Sequence, residues 1–152
     1  SNQRIHKKVA EGYQFQQSDS SFIKNNFIDL SIGRRIFSTS DDLYIWLKEL
    51  SSGRIISNES YQRMCTNHLN EINERLSYGY GVVVFDGNNY EMGNLGLDKS
   101  VNYIVHGGST EGYKAMMTSI NNGELIITHL SNIGNRTNEL QLTASILKLI
   151  YE

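Results

Sequence analysis

The run His106-Gly107-Gly108-Ser109-Thr110-Glu111-Gly112-Tyr113 gathers residue types that can do chemistry within eight positions. Histidine titrates near neutral pH. Hydroxyls and a carboxylate can hold protons or ligand groups. Glycines let bare backbone N–H groups come up to a substrate. The run lies between two strand-like stretches, 101–105 and 113–120, and so reads as a turn at a strand end. Glycines between strands also make an ordinary hairpin turn, and on local grounds both readings stand.

The other reactive side chains read more plainly. Cys65 is the only cysteine, so disulfide scaffolds and cysteine-based zinc sites are excluded within one chain. Cys65 and His68 could share a helical face, but nothing nearby lowers the thiol pKa, and they read as a small buried residue beside a surface histidine. Asp41 and Asp42 read as helix-start acids. His129 falls in a strand and reads as a sheet-face residue, and Tyr113 reads as packing under the turn. Asn58 and Asn135 begin glycosylation triplets, a common match in an Asn-rich chain. No cofactor or metal is expected.

A chain of 152 residues with 39% hydrophobic content can bury one core, so residues 1–152 are expected to form a single domain. A net charge of −2, with no basic cluster interleaved with aromatics, argues against a nucleic-acid partner. The apolar runs are too short to span a membrane. Residues 1–12 are polar and charged and do not read as a signal peptide, which says nothing of export for a chain that begins further upstream.

The elements that must position the candidate residues follow from periodicity. Residues 9–16 alternate loosely as a strand or extended arm, 17–26 read as a polar loop, and 27–37 as a buried irregular crossing. Ser38-Thr39-Ser40-Asp41 predicts a capping box before a helix over about 39–51, with Leu43, Trp46, Leu47 and Leu50 on one face. Gly53 ends it, and Ser57 caps a second short helix to about Thr66. Then the period changes. Residues 78–85, 89–92, 101–105, 113–120 and 124–131 read as strands. Asp86-Gly87-Asn88 and Asn121-Asn122-Gly123 are hairpin turns, because Asn and Gly tolerate positive φ. A last helix from Asn135 to about Tyr151 places Leu140, Ala144, Leu147 and Ile150 on one face. The fold class is α+β: an antiparallel meander of about five strands, a C-terminal helix packed on it, and short helices before it.

The order of these landmarks resembles the second half of the serine β-lactamase and penicillin-binding-protein family, in its class C and esterase-like branch. Val9-Ala-Glu-Gly-Tyr13 looks like the strand after that family's first catalytic half. Ile36–Leu50, opening Ile-Phe-Ser-Thr-Ser-Asp-Asp-Leu, looks like its capped helix after the active-site crossing. Tyr78-Gly-Tyr-Gly-Val82 is similar to its Tyr-Gly-x-Gly strand, His106-Gly107-Gly108 to its third motif (Lys-Thr-Gly or His-x-Gly), and Leu130-Ser131-Asn132 to the strand end before its last helix. The resemblance covers nearly all of 9–150. It implies that this chain is the C-terminal portion of a larger domain of the β-lactamase/transpeptidase-like fold.

The family's chemistry is acyl transfer to the serine of Ser-x-x-Lys, with Tyr-x-Asn or Ser-x-Asn as second proton handler. The resemblance places both in a half that precedes residue 9. No Tyr-x-Asn occurs here, and Ser21-Phe22-Ile23-Lys24 lies in a polar loop on the wrong side of residues 9–13, an accidental match. The resemblance implies that the backbone N–H of Ser109 is one oxyanion donor, a contribution of about 3 kcal/mol to the barrier. Gly107 and Gly108 would let an acyl group lie along the strand, and Glu111 would be solvated or touch ligand. His106 would polarise a hydroxyl or carry a proton. In the other reading it only hydrogen-bonds neighbouring backbone. Histidine in place of lysine weakens the fixed cation, and shifts the expected substrate from β-lactams toward esters or D-peptides. The implied partners are a small-molecule or peptide substrate, the missing half, and further copies of the chain through the exposed face. The implied compartment is outside the cytoplasmic membrane. A self-sufficient, non-catalytic binding module is the alternative.

Overall fold

Hydroxyl caps start the two N-terminal helices, as the sequence predicts, with one shift of register. The computed structural model describes residues 9–25, 36–69, 76–86, 94–110, 112–136 and 138–151. Thr39, not Ser38, is the N-cap of α1 (Ser40–Ser51), and its hydroxyl accepts from the N–H of Asp42 at 3.1 Å. Ser57 caps α2 (Asn58–Met64) by accepting from the N–H of Ser60 at 3.2 Å. Helix α2 thus ends two residues before Thr66.

Before the helices, Tyr13–Gln16 (β1) and Ser21–Lys24 (β2) form an antiparallel hairpin. The second strand corrects the expectation of a loop over 17–26. Its turn is closed by Ser20 at φ 58°, a left-handed residue that polarity alone does not reveal.

The main sheet runs Val83–Phe85 (β3), Tyr103–Thr110 (β4), Tyr113–Ile120 (β5) and Leu125–Ser131 (β6), in the order β3-β4-β5-β6, all antiparallel. This is the expected meander with four strands among the described residues; the expected strand over 89–92 and most of the crossing over 27–37 lie outside them, as does the end of the Asp86–Asn88 turn. Residues 78–82 are not the start of a strand. Tyr78 bridges Val83, and the N–H of Gly79 donates to Val82 O at 2.9 Å, so Tyr-Gly-Tyr-Gly makes a tight reversal. Its glycines alternate like a strand but act as a turn. The Asn121-Asn122-Gly123 turn is as predicted, with φ of 46°, 57° and 93°.

Helices cover both sheet faces. Helix α3 (Glu139–Tyr151) packs Leu147, fully buried, against Phe85, Tyr103, Val105, Met116 and Ile120, with Leu140 and Ala144 at the margin. Two features depart from the sequence pattern. Helix α3 starts at Glu139, four residues later than expected, where the side chain of Asn138 accepts from the N–H of Gln141 at 3.1 Å. Ile150 is 52% exposed, because the helix runs past the sheet. On the opposite face Val82, Val84 and Ile104 meet Met64 and Cys65 at the end of α2, while Leu47 and Leu50 of α1 are buried. Thr128 Oγ1 donates to Ser40 O at 3.0 Å and ties α1 to β6. The outer side of α1 leaves Tyr44 and Ile45 about half exposed.

Candidate functional site

Residues 106–110, expected in a turn, continue β4. His106 pairs with Met117, Gly107 with Met116, Gly108 with Ala115, Ser109 with Lys114 and Thr110 with Tyr113. Thr110 still pairs with Tyr113, and Gly112, just before β5, takes φ 84°. A Gly-Gly pair lowers strand propensity but does not forbid a strand when the partner strand is well formed. Glu111 lies outside the described residues.

Strand alternation then sorts the candidate residues. The N–H of Asn121 donates to Asn102 O at 2.8 Å, so even-numbered residues of β4 turn their backbone groups toward β5. Odd-numbered residues turn theirs toward β3. But β3 pairs only with Tyr103, Ile104 and Val105. The N–H and C=O of Gly107 and Ser109 therefore lie on a sheet edge with no strand partner among the described residues. All four residues from His106 to Ser109 are exposed. Neither glycine is required by the fold's own packing. A Cβ on Gly108 would meet nothing within 4 Å, and one on Gly107 only Ala115 O at 3.5 Å, an ordinary contact.

The side chains divide in the same way. His106 and the open side of Gly108 belong to the sheet face covered by α1 and α2. Ser109 belongs to the α3 face, opposite Lys114, whose Nζ sits 3.3 Å from Glu139 Oε2. The His106 ring and the Ser109 hydroxyl thus point to opposite faces, and what Ser109 offers at the edge is its backbone. Below His106 a cleft of about 270 Å³ opens between α1, the 78–83 reversal and the floor of β4 and β5. Trp46, Leu47, Leu50, Ile104 and Met117 line it, with Tyr80 on its rim. Trp46 was expected with the buried face of α1; it is 49% exposed at the cleft. The cleft is the part of the site that sequence reasoning missed, since it needs three elements far apart in the chain.

The remaining candidates stand apart. Burial raises the Cys65 thiol pKa above its ordinary value, only partly offset by a hydrogen bond from Tyr61, so it is not an activated nucleophile. His68 does not pair with it: its Nε2 lies 2.8 Å from Arg63 O, and its ring stacks on Tyr80 at 4.3 Å. Ser21 and Lys24 sit three apart on an exposed strand, which turns their side chains to opposite faces, and Lys24 pairs with Glu11. A second Ser-x-x-Lys, Ser145-Ile146-Leu147-Lys148, is legible in the sequence but was not singled out there. It lies on α3, across the sheet from His106, with Ser145 Oγ donating to Gln141 O at 2.8 Å. Asn135 is no open glycosylation acceptor: its amide accepts from the N–H of Phe15 and donates to Phe15 O, both at 2.8 Å. Tyr113 sends its hydroxyl to Ala10 O at 2.8 Å. His129 faces α3, as expected of a sheet-face residue, with Nε2 3.2 Å from Thr143 Oγ1. No cluster of metal-ligating side chains occurs among the described residues, and no helix there is long and apolar enough to cross a membrane.

No model of a known protein family matches the sequence, and no curated protein does. Solved structures do match. The octameric penicillin-binding protein homologue from Pyrococcus abyssi superposes with a TM-score of 0.72 over 99% of this chain at 18% identity, using 33% of its own length. The penicillin-binding protein from Bacillus halodurans gives 0.64 over 95% at 17% identity, using 41% of its length. The D-stereospecific amidohydrolase from Streptomyces sp. gives 0.62 over 84% at 17% identity, using 36% of its length. This chain thus spans between a third and about two-fifths of those proteins. At such identities the likeness is one of fold, and the architecture built above, a meander with α3 on one face and α1 and α2 on the other, is that of a portion of the serine β-lactamase/transpeptidase-like fold.

Proposed function

We propose that this chain is the strand wall of an acyl-transfer site, the C-terminal portion of a β-lactamase-like serine hydrolase acting on an ester, amide or peptide. One observation carries the reading: the backbone N–H and C=O of Gly107 and Ser109 face outward on an edge flanked by glycines that the fold does not need. In this reading the N–H of Ser109 stabilises the developing oxyanion, with the second donor on the nucleophile's own residue in a preceding half. Gly107 and Gly108 give the acyl group a bare track, Glu111 would be solvated or touch ligand, and His106 moves or holds a proton at the rim. Alone, the chain lacks the nucleophile and is inactive.

The test is acylation. A fluorescent penicillin and an activated ester, each incubated with residues 1–152, leave no adduct by mass spectrometry. A longer polypeptide from the same reading frame is acylated on a serine upstream of residue 9. A stoichiometric adduct on Ser21 or Ser145 in the short chain would sink the proposal.

The alternative, a self-sufficient ligand- or protein-binding module, draws on one feature. Ile120 and Leu147 are fully buried within this chain, so α3 and the sheet close a core without help. The half-exposed Tyr44 and Ile45 favour the fragment reading, in which the preceding half or a further copy covers them. Sedimentation velocity separates the two. Self-association that grows with concentration fits the fragment, and a clean monomer that binds no apolar dye fits the module.

A further inference from the structure

We infer that the ligand held at the β4 edge carries one aromatic or branched apolar side chain, and that this group fills the cleft beside His106. The inference rests on the proposed edge site and names its ligand class. The cleft reaches along β4 as far as His106, one residue before the open edge begins at Gly107. The reversal at 78–83 ends where β3 stops pairing with β4, so it forms both the cleft's rim and the limit of the open edge. Two positions past His106, on the same sheet face, is Gly108, where a Cβ would meet nothing within 4 Å. An extended ligand hydrogen-bonded to Gly107 and Ser109 alternates its side chains, so one of them crosses Gly108 toward the cleft.

Size and polarity narrow that side chain. Pockets that bury whole drug-sized ligands start near about 300 Å³. At about 270 Å³ this cleft lies at the small end of that range and has room for one large side chain. Apart from the His106 ring at its rim, the side chains that line it are apolar, aromatic or thioether, and Met64 and Met117 adapt to the shape of a guest. A lysine or aspartate side chain placed there would lose its water without gaining a counter-charge. A methyl group would leave most of the space unfilled.

Trp46 is the only tryptophan and lines the cleft, which makes it a built-in reporter. The experiment titrates residues 1–152 with N-acetylphenylalaninamide, N-acetylalaninamide and N-acetyllysinamide, each as both enantiomers. Trp46 emission is followed together with the backbone amide resonances of Gly107 and Ser109. The phenylalanine ligand should shift Trp46 emission to shorter wavelength in a saturable way, and bind at least about tenfold tighter than the alanine ligand. The lysine ligand should leave Trp46 unchanged. Met117→Phe, which fills the cleft from its floor, should bring phenylalanine binding down to the alanine level while the edge resonances still respond. Edge resonances that move equally with all three ligands, and a silent Trp46, would overturn the inference and leave the edge site standing. A Trp46 response without movement at Gly107 and Ser109 would overturn the link between cleft and edge. Resonances that move with no ligand would remove the edge site and the inference together.

Discussion

At the turn end of β4 three glycines press backbone on backbone, while two and three positions before Thr110 two others touch almost nothing. A Cβ on Gly134 would lie 2.5 Å from Gly112 N, and one on Gly112 would lie 3.0 Å from Gly12. A Cβ on Gly12 would in turn lie 2.6 Å from the Tyr113 ring. This contact seats β1 against the β4–β5 turn and the segment after β6. There the N–H of Tyr13 donates to Asn132 O, and that of Gly134 to Tyr13 O, both at 2.8 Å. Gly107 and Gly108 sit on the same strand and meet no such constraint. The comparison teaches that a glycine-rich run mixes two causes. Gly112 is fixed by a left-handed turn and close packing; Gly107 and Gly108 are left to whatever approaches the edge.

The largest expected effect tests the packed group. Gly134→Ala forces the Gly112 backbone to shift and should lower stability by about 2–3 kcal/mol, as overpacking does. Urea unfolding measures it; a loss within about 0.5 kcal/mol would show that this end relaxes freely. Next comes Asn135→Ala, which removes two hydrogen bonds to Phe15. At about 1 kcal/mol for each bond, the loss should be about 1–2 kcal/mol. Hydrogen exchange should quicken first in the β1–β2 hairpin, with β4 and β5 protected as before.

These anchors also show what was legible in the sequence. Hydroxyls at 39 and 57, and the Asn-Asn-Gly turn, are local signals, and they fixed the helix starts and the β5–β6 reversal in advance. The extent of β4 was misread because Gly-Gly carries a turn signal that only the pairing of Gly107 with Met116 and Gly108 with Ala115 overrules. The β1–β2 hairpin was hidden by polarity. Its support comes from Asn135, 120 residues from Phe15, which no window of local pattern can reach. For the site, His106 and the bare backbone were visible. The cleft was not, since α1, the 78–83 reversal and β5 must first be brought together.

Acid should loosen the α3 side of the packed end and spare the edge. Burial among β6, β5 and α3 pushes the His129 pKa below its ordinary 6.5, only partly countered by the Glu139 charge and a Glu139 backbone hydrogen bond. The charged groups facing it from that side are Glu139 and its partner Lys114. In the unfolded chain His129 takes up a proton more readily. The stability that its neutral form contributes is therefore present above pH 6.5 and is lost as the pH falls through the lower folded value. Thermal melts between about pH 7 and about pH 5 should show a declining midpoint. His129→Gln should flatten that decline. An equal slope in both proteins would assign the acid loss to the carboxylates instead.

The smallest effect on stability carries the most information about function. Gly108→Ala puts a methyl group where nothing lies within 4 Å, at a position with no positive φ. Replacing a strand glycine whose conformation alanine can adopt restricts the unfolded chain, so the variant should gain about 0.5 kcal/mol. A fold that improves when a residue is replaced is not the reason for that residue. If Gly108 serves an approaching ligand, the same methyl group should weaken the edge response to N-acetylphenylalaninamide while the melting temperature rises. Gly107→Ala, whose Cβ stays beyond 3.4 Å from Ala115 O, gives the matched control on the other sheet face. It should be as stable and should disturb Trp46 less, because its methyl group points toward α3. A loss of stability in Gly108→Ala would place it with the packed glycines and erase the contrast between the two groups.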